Sequence, residues 1–362
     1  MYSIIPFLLL ASSLSSAALL KPRNVTSTYA CNNSPDLCSR SYSDIAQLGA
    51  HDSPFVSDSS STSTTSNFIS SANQNVNSTR QLTAGVRLLT AQVHSNNGTW
   101  HLCHTSCGLL DAGTLSSWLA EIKSWMDKNP HDVVTILLVN SDNASAEELD
   151  AEFKAADIAS YGYQPPSTTT ALASWPTLQE MIANNSRLVT FVASLTSNTV
   201  APYLLDEFTF VFENNYNVTS LNNFSCDADR PATVQGQTSQ AVSSGRLPLV
   251  NHFLYSDSIG FGIEAPDTGN ITTTNSAGTE TGSLGSAATS CTTAYGRKPA
   301  FFLVDFFDQG QTLQVVDSVN GITATGRGDV PVAQMTSAGS SKSRSTWLAL
   351  AMMGTAALFL AA

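Results

Sequence analysis

Short apolar runs rich in β-branched and aromatic residues recur along the chain and alternate with segments of helical spacing. Seven runs have the length and composition of strands: 45–50, 86–94, 133–140, 187–194, 208–214, 247–255 and 300–307. Most of these runs are apolar on both faces, which is typical of parallel strands covered by helices on each side. The pattern therefore predicts an α/β fold.

Helical periodicity is clearest between the second and third of these strands, over 114–130. Six apolar residues there share one helical face, with Thr114 as a predicted N-cap and Pro130 after the last turn. Further helices are predicted over 144–159 and over 311–321, the latter ended by Gly321. About seven or eight such units favour a TIM-type (β/α) barrel, possibly distorted, with a doubly wound open sheet as the alternative.

Both ends of the chain have the pattern of processing signals. Residues 1–18 are an apolar run that ends in small residues, which indicates a secretory signal peptide. Residues 347–362 are uncharged and mostly apolar, and they follow a polar spacer and a cluster of small residues at 337–339. That order is typical of a glycolipid-anchor signal. A membrane-spanning helix is the alternative, although it normally needs about 20 apolar residues.

These signals divide the chain into four predicted parts. A signal peptide (1–18) is followed by the barrel (19–325), a flexible stalk (326–346) with the anchor site, and a tail (347–362) that is removed. The predicted location is extracellular, at the cell surface, with a glycolipid anchor to the plasma membrane or cell wall. Nine N-x-S/T sequons fit a glycoprotein of the secretory pathway.

Charge and cysteine content limit the partners. Lys+Arg 16 against Asp+Glu 28 gives a net charge of -12, which opposes binding to DNA or RNA. An even number of cysteines in an exported chain predicts disulfides, with zinc as the competing interpretation. The close spacings favour Cys31 with Cys38 and Cys103 with Cys107, which leaves Cys226 for Cys291.

Polar side chains interrupt the apolar strands near their carboxyl ends, where a barrel builds its active site. The first strand runs into His51 and Asp52, and an adjacent strand carries His104. The other candidates, in chain order, are Thr90, Gln92, His94, Asn140, Glu213, Asn251 and Asp305. Strict alternation places Thr90, Gln92 and His94 on one face of their strand.

Two histidines, each with a nearby carboxylate, are the groups needed for general acid–base catalysis at a phosphate diester. One neutral imidazole takes the proton of an attacking hydroxyl, and one imidazolium protonates the leaving oxygen. A carboxylate behind each ring fixes its tautomer. The chain has no G-x-S-x-G nucleophile elbow, so acyl transfer is poorly supported.

Four motifs, in this order, carry a resemblance to a known family: GAHDSPF, GVRLLTAQVH, LCHTSC and FFLVDFFDQG. They resemble the X-domain barrel of phosphatidylinositol-specific phospholipase C, and in particular secreted fungal phospholipase-C-like phosphodiesterases. The resemblance covers about Cys31 to Gly321. It implies that His51 is the general base that activates the inositol 2-hydroxyl and that Asp305 orients it. It also implies that His104 is the general acid, paired with Asp52.

The chain departs from the family at the groups that stabilise phosphate charge. Bacterial members carry an aspartate and an arginine on the second strand, and calcium-dependent animal members carry acidic ligands there; this chain has Thr90 and Gln92. Asn140 stands where the animal calcium site has a third-strand carboxylate. No metal or cofactor is predicted, and calcium remains an alternative. Loss of a preorganised cation at a phosphoryl transition state costs several kcal/mol, roughly 10³ in rate.

The leading hypothesis is a secreted, surface-anchored phosphoric diester hydrolase that acts on phosphatidylinositol-like lipids. The sites predicted to bind substrate are Thr90, Gln92, His94, Asn140, Glu213 and Asn251. The alternative is a catalytically impaired barrel that binds inositol lipid or cell-wall glycan. A metal-dependent glycerophosphodiesterase is a third possibility. The sequence leaves the oligomeric state open.

Overall fold

The computed structural model describes residue 27 and residues 29–57, 72–195, 198–256 and 265–329. The strands are β1 (Gln47–Ala50), β2 (Leu88–Asn96), β3 (Thr99–Cys103), β4 (Asp111–Thr114), β5 (Val134–Asn140), β6 (Leu188–Ala193), β7 (Leu204–Asp206), β8 (Val211–Glu213), β9 (Leu247–Asn251), β10 (Tyr255–Ser256), β11 (Ala265–Pro266) and β12 (Phe301–Val304). The α-helices are α1 (Ser78–Ala84), α2 (Leu115–Lys128), α3 (Ala146–Ala155), α4 (Leu178–Ala183), α5 (Glu207–Phe210), α6 (Thr238–Ser243), α7 (Ile271–Thr274), α8 (Leu284–Tyr295) and α9 (Thr312–Asn320).

Eight parallel strands form the central sheet, in the order β7-β6-β5-β2-β1-β12-β9-β8. The two edge strands, β7 and β8, are consecutive in the chain and are joined by the four residues of α5. A sheet whose edges are linked by so short a connection has to curl round on itself. The fold is therefore a (β/α) barrel that is open between β7 and β8. The prediction of a distorted barrel is confirmed, and the doubly wound open sheet is wrong.

Side-chain alternation along the strands builds two apolar layers. In β5, Ile136 and Leu138 pack outward against the helices, whereas Leu137 points into the barrel with Phe191 of β6 and Phe301 of β12. Both faces of the sheet are buried, which explains the continuously apolar runs in the sequence. These side chains fill the barrel interior, and His51 and Asp305 follow the carboxyl ends of β1 and β12.

Three predicted helices are confirmed, with small differences at their ends. Thr114 caps α2 by accepting from the Ser117 amide, Ser145 caps α3 with a capping box, and Gly321 ends α9 in the left-handed conformation. The strand predicted over 208–214 is only half correct. Its first part is α5, because the Asp206 side chain accepts from the Thr209 amide and starts a helical turn.

Two features of the sheet were not predicted. The three-residue strand β7 is too short to give a periodic signal. Strand β2 does not end at His94; it continues to Asn96 and folds back as β3, which pairs antiparallel with β2 and in turn with β4. This hairpin extends the sheet past the carboxyl end of β2 and carries the LCHTSC motif.

All three predicted disulfides are present: Cys31–Cys38, Cys103–Cys107 and Cys226–Cys291. All six cysteines are in disulfides, so the alternative prediction that they bind zinc is wrong. The described chain ends at Asp329. Arg327 forms two hydrogen bonds with Asp317, and the Gly328 amide donates to Thr83. Packing against the barrel thus extends beyond the predicted boundary at residue 325.

The rest of the predicted stalk, the anchor site at 337–339 and both terminal signals lie outside the described residues. Among the residues that are described, no helix is both long enough and apolar enough to span a bilayer.

The disulfides make unequal contributions to stability in a chain-entropy argument. Cys226–Cys291 spans 65 residues and Cys31–Cys38 spans 7. Replacing each pair by alanine should lower the free energy of unfolding by about 4 kcal/mol for the long loop and about 2 kcal/mol for the short one. Urea denaturation of the two double variants measures this. A larger loss for the short loop would contradict the loop-length argument.

Candidate active site

The pairing register of β1 with β12 places the first two polar residues of the site next to each other. Ala50 is the partner of Val304, so the next residues, His51 and Asp305, lie side by side at the carboxyl ends of these strands. Nδ1 of His51 is 2.9 Å from Oδ1 of Asp305. Because a carboxylate only accepts hydrogen bonds, Nδ1 carries the proton and Nε2 is free to act as a base.

Asn73 and Gln74, in the segment before α1, form hydrogen bonds with Asp305 and with the backbone of His51 and Val304. Asn73 is fully buried and donates from Nδ2 to Oδ1 of Asp305 at 3.0 Å. Gln74 donates to the carbonyl oxygens of His51 and Val304 at 2.8 and 3.0 Å. Sequence reasoning missed both residues, because they lie outside any periodic element. Their contacts hold the ends of β1 and β12 in one position.

The β2–β3 hairpin brings the second histidine to the barrel mouth. His104 directly follows β3 and lies within the five-residue loop closed by Cys103–Cys107. Its amide donates to the Leu110 carbonyl, and its ring makes an edge contact with Phe55, with ring centroids 5.2 Å apart. His104 therefore lies at the carboxyl end of a strand, as predicted, although β3 is antiparallel to β2 and not one of the barrel strands. The hairpin nevertheless directs the side chain toward the ends of β1 and β12.

Asp52 lies between the two imidazoles. Its Oδ2 atom is 3.7 Å from Nε2 of His51 and 3.7 Å from Nε2 of His104. The two Nε2 atoms are therefore separated by no more than twice that distance. All three side chains are nearly buried, with 12 % of His51, 6 % of His104 and 2 % of Asp52 exposed. The structure thus brings together the four residues predicted to be catalytic.

Thr90 and Gln92 hold Asp52 in place. Oγ1 of Thr90 accepts from the Asp52 amide at 2.8 Å, and Asp52 itself has a positive φ of 47°. Nε2 of Gln92 donates to Oδ2 of Asp52 at 2.6 Å, while its Oε1 accepts from the Thr105 amide at 2.9 Å. Gln92 therefore ties the carboxylate to the loop that carries His104. Neither residue adds positive charge.

The environment shifts the pKa values of the two histidines in opposite directions. Burial is the largest influence on His51 and lowers its pKa, but the charges of Asp52 and Asp305 and the hydrogen bond to Asp305 together raise it above the ordinary value. Burial lowers the pKa of His104, and the charge of Asp52 offsets this only in part. The first proton bound by the coupled pair therefore resides mainly on His51.

A second polar cluster lies at the ends of β8 and β9. Arg230 is paired through its backbone with Glu213 and forms an ion pair with the Glu213 carboxylate. Asn251 donates to the same carboxylate at 3.3 Å. The Arg230 guanidinium also lies 4.3 Å from the ring centroid of Tyr216. Glu213 contributes to the raised pKa of His51, which places this cluster within electrostatic reach of the histidines.

Arg230 is a functional candidate that the sequence did not reveal. It lies in the connection between β8 and β9, far from any strand end in the primary order. Phe253 is a second one: its ring stacks on His51 with centroids 3.8 Å apart and an interplanar angle of 1°. Glu207 is buried near this cluster, and burial together with the charge of Glu213 raises the pKa of its carboxyl group well above the ordinary value.

Two predicted substrate-binding residues have other partners. His94 lies 3.5 Å from Asp142 in the loop after β5. Asn140 accepts from the Ala144 amide and donates to the Ala144 carbonyl, which closes that loop. Both contacts fit a role in holding the β5–α3 connection.

The site fits calcium poorly. Calcium takes six to eight oxygen ligands, usually with several carboxylates. At the positions expected from the animal enzymes, Thr90, Gln92 and Asn140 are neutral and are hydrogen-bonded to protein groups. In the described part of the chain, the one group with metal-ligand spacing is Cys103, Cys107 and Asp111, and its cysteines form a disulfide.

Comparisons with known proteins agree with this architecture. The sequence profile of the PI-PLC X domain matches residues 37–320. PI-PLC X domain-containing protein 1 of Arthroderma benhamiae is 39% identical over 294 residues, which cover 81% of this chain and 90% of that protein. A second protein of the same organism, named "Uncharacterized secreted protein", is 36% identical over 308 residues, 83% of this chain and 66% of that one.

Among solved structures, the phosphatidylinositol-specific phospholipase C from Listeria monocytogenes superposes with a TM-score of 0.53 at 17% sequence identity. The match covers 78% of this chain and 95% of that one. This similarity shows a shared fold. The profile and the identity to the first relative go further: the chain belongs to the PI-PLC X domain family, as its four motifs predicted.

The opposite pKa shifts can be tested by NMR titration of the imidazoles. His51 should titrate above the ordinary histidine value and His104 below it. Asp52→Asn should lower the pKa of both rings, because its charge raises both. Asp157→Asn, at an exposed carboxylate, is the matched control and should change neither. A pKa of His104 above that of His51 would refute the electrostatic picture.

Proposed function

We propose that this protein is a phosphodiesterase that cleaves inositol phosphodiesters of the phosphatidylinositol type by paired-histidine catalysis. The observation that carries the proposal is the position of Asp52, with one carboxylate oxygen 3.7 Å from Nε2 of both His51 and His104. Two imidazoles at this spacing can flank one phosphorus atom. Membership of the PI-PLC X domain family and the barrel shared with the bacterial enzyme support the same chemistry.

The reaction follows from the protons that the two rings hold. His51 accepts the proton of the inositol 2-hydroxyl at Nε2, while Asp305 stabilises the imidazolium through Nδ1. The 2-oxygen forms a bond to phosphorus, and the bond to the glycerol oxygen breaks. His104 donates its proton to that leaving oxygen. The products are a cyclic inositol phosphate and a diacylglycerol, and ring opening by water is a slower second step.

The reactive protonation state differs from the one favoured in the free protein. Catalysis needs neutral His51 and protonated His104, whereas the pKa shifts put the first proton on His51. A bound phosphodiester adds negative charge beside His104 and raises its pKa. Protonated His104 then supplies the positive charge that Thr90 and Gln92 do not.

The cluster at β8 and β9 suits a polyol. Arg230 donates, Glu213 accepts and Asn251 does both, which matches neighbouring hydroxyl groups that each donate and accept. We propose that these residues bind the inositol ring, with Tyr216 against one face of it. Their position on the β8–β9 side would orient the 2-hydroxyl toward His51.

A second function is favoured by one observation. The amide of Gln92 is already engaged by Asp52 and the Thr105 amide, so that it does not replace a phosphate-binding cation. A barrel that binds inositol lipid or cell-wall glycan without turnover is the corresponding alternative.

We also propose that the protein is secreted, as its second relative is named, and that it is glycosylated and anchored by a glycolipid. The signals for secretion and anchoring rest on the sequence.

Turnover and its products test the main proposal. The protein should release cyclic inositol phosphate from micellar phosphatidylinositol, detected by ³¹P NMR. His51→Ala and His104→Ala should each lower kcat by at least about 10³, since each removes a proton-transfer group. His131→Ala, an exposed histidine outside the site, is the control. Binding without turnover in the unmodified protein would support the alternative, and a first product that is already a monoester would exclude attack by the 2-hydroxyl.

Arg230 provides a separate test of the polyol site. Arg230→Met keeps much of the side-chain volume but removes the donors, so KM for phosphatidylinositol should rise about tenfold or more with a smaller change in kcat. Arg80→Met, at an exposed arginine on α1, is the matched control and should leave both constants unchanged. Equal loss of rate on an inositol-free phosphodiester would show that Arg230 does not recognise the ring.

A further inference from the structure

The nine N-x-S/T sequons differ in their accessibility. Asn32 is 6 % exposed and its side chain accepts from the Val133 amide at 2.7 Å, so it is not available for modification. Asn24 lies outside the described residues, and Asn270 is half-buried with its amide on Asp267. The exposed sequon asparagines are Asn77, Asn97, Asn143, Asn184, Asn217 and Asn223.

Five of these six lie at the carboxyl end of the barrel strands, where the catalytic residues are. Asn77 caps α1, directly after the segment that supports His51. Asn97 is in the turn of the β2–β3 hairpin, and Asn143 is in the loop after β5. Asn217 and Asn223 follow β8. Asn184 caps the carboxyl end of α4 and precedes β6, which puts it at the opposite end of the barrel.

Contacts place these asparagines around the mouth. Asn217 lies between Tyr216, whose ring faces Arg230, and Val218, whose carbonyl accepts from the Tyr255 amide at 2.8 Å. Tyr255 packs against Phe253, which stacks on His51. On the other side, the loop that carries Asn143 is joined to the hairpin, since Asp142 accepts from the Ser95 amide.

We propose, on the basis of the phosphodiesterase function proposed above, that N-linked oligosaccharides on Asn77, Asn97, Asn143, Asn217 and Asn223 form a glycan collar around the mouth. The collar keeps the mouth away from a packed bilayer. The substrate is then a phosphodiester that arrives from water, such as a headgroup ester without acyl chains or a dispersed lipid. Oligosaccharides are bulky and strongly hydrated, so that several of them on one rim prevent flat contact with a membrane.

The net charge of the protein and its exposed apolar surface also favour a mouth that stays away from a bilayer. Membrane-binding surfaces combine buried apolar area with attraction to anionic lipids. The net charge of -12 opposes approach to a bilayer that contains phosphatidylinositol. In the described ranges, the exposed large apolar side chains are Val139, Val200 and Tyr216. Three separate side chains provide little area for insertion.

Occupancy is the first test. Glycopeptide mass spectrometry of the full chain secreted from a eukaryotic host should find glycans on the five collar asparagines and on Asn184, and none on Asn32. Unmodified asparagines at Asn97, Asn143, Asn217 and Asn223 would overturn the proposal.

Vesicle binding is the second test and does not depend on turnover. A collar variant combines Thr79→Ala, which keeps the Asn77 cap, with Asn97→Gly, Asn143→Gly, Asn217→Gln and Asn223→Gln. Glycine suits Asn97 and Asn143 because both have positive φ. The collar variant should bind vesicles of phosphatidylcholine and phosphatidylinositol about tenfold more tightly in flotation assays. Asn184→Gln is the control and should bind like the unmodified protein.

Endoglycosidase treatment of the native glycoprotein gives the same comparison without mutations. Cleavage of vesicle phosphatidylinositol should rise with binding, while cleavage of glycerophosphoinositol should stay unchanged. Equal vesicle binding with and without the collar would overturn the inference. Absence of turnover on every substrate, with binding still increased, would refute the phosphodiesterase and leave the collar supported.

Discussion

The parallel pairing of β1 with β12 is the interaction on which the rest of the molecule depends. It joins two strands that are separated by most of the chain and completes the curvature of the sheet, so that β7 and β8 become neighbouring edges. The same register sets His51 beside Asp305. A shift by one residue would direct one of these side chains to the outer face, because alternate residues face opposite sides of a strand. Closure of the barrel and assembly of the His51–Asp305 pair therefore depend on the same strand register.

The site is dominated by negative charge. Asp52 and Asp305 are both buried beside the histidines, and Glu213 adds to their effect on His51. These charges raise the pKa of His51 and offset part of the effect of burial on His104, but they disfavour an anionic phosphate. In this chain Gln92 uses its amide to position Asp52 and the His104 loop. The proposed acid–base geometry is held by these contacts, and in the proposed reaction the positive charge beside the phosphate comes from protonated His104.

The mouth is also asymmetric. The β8–β9 side presents the ion pair of Arg230 with Glu213, whereas the last residues paired between β5 and β6 are Val139 and Ala193, and Asn140 after them is engaged by Ala144. A polar ligand that makes directional hydrogen bonds is bound better by the first side than by the second. The disulfide loop and the hairpin close the remaining side over His104. In the proposed reaction, the substrate reaches His51 and His104 from the carboxyl end of the barrel, where the exposed sequons lie.

Local patterns along the sequence determined the fold class, the main helices and the candidate catalytic residues. Strand alternation, helix caps and cysteine spacing act over a few residues, so they can be recognised without coordinates. The four motifs placed His51, Asp52, His104 and Asp305 together before the structure did. Only the tertiary structure decided what surrounds them: Asn73 behind Asp305, Phe253 on His51 and Arg230 on Glu213. These residues lie in connections whose course is set by packing against distant strands, and no periodicity in the sequence encodes such contacts.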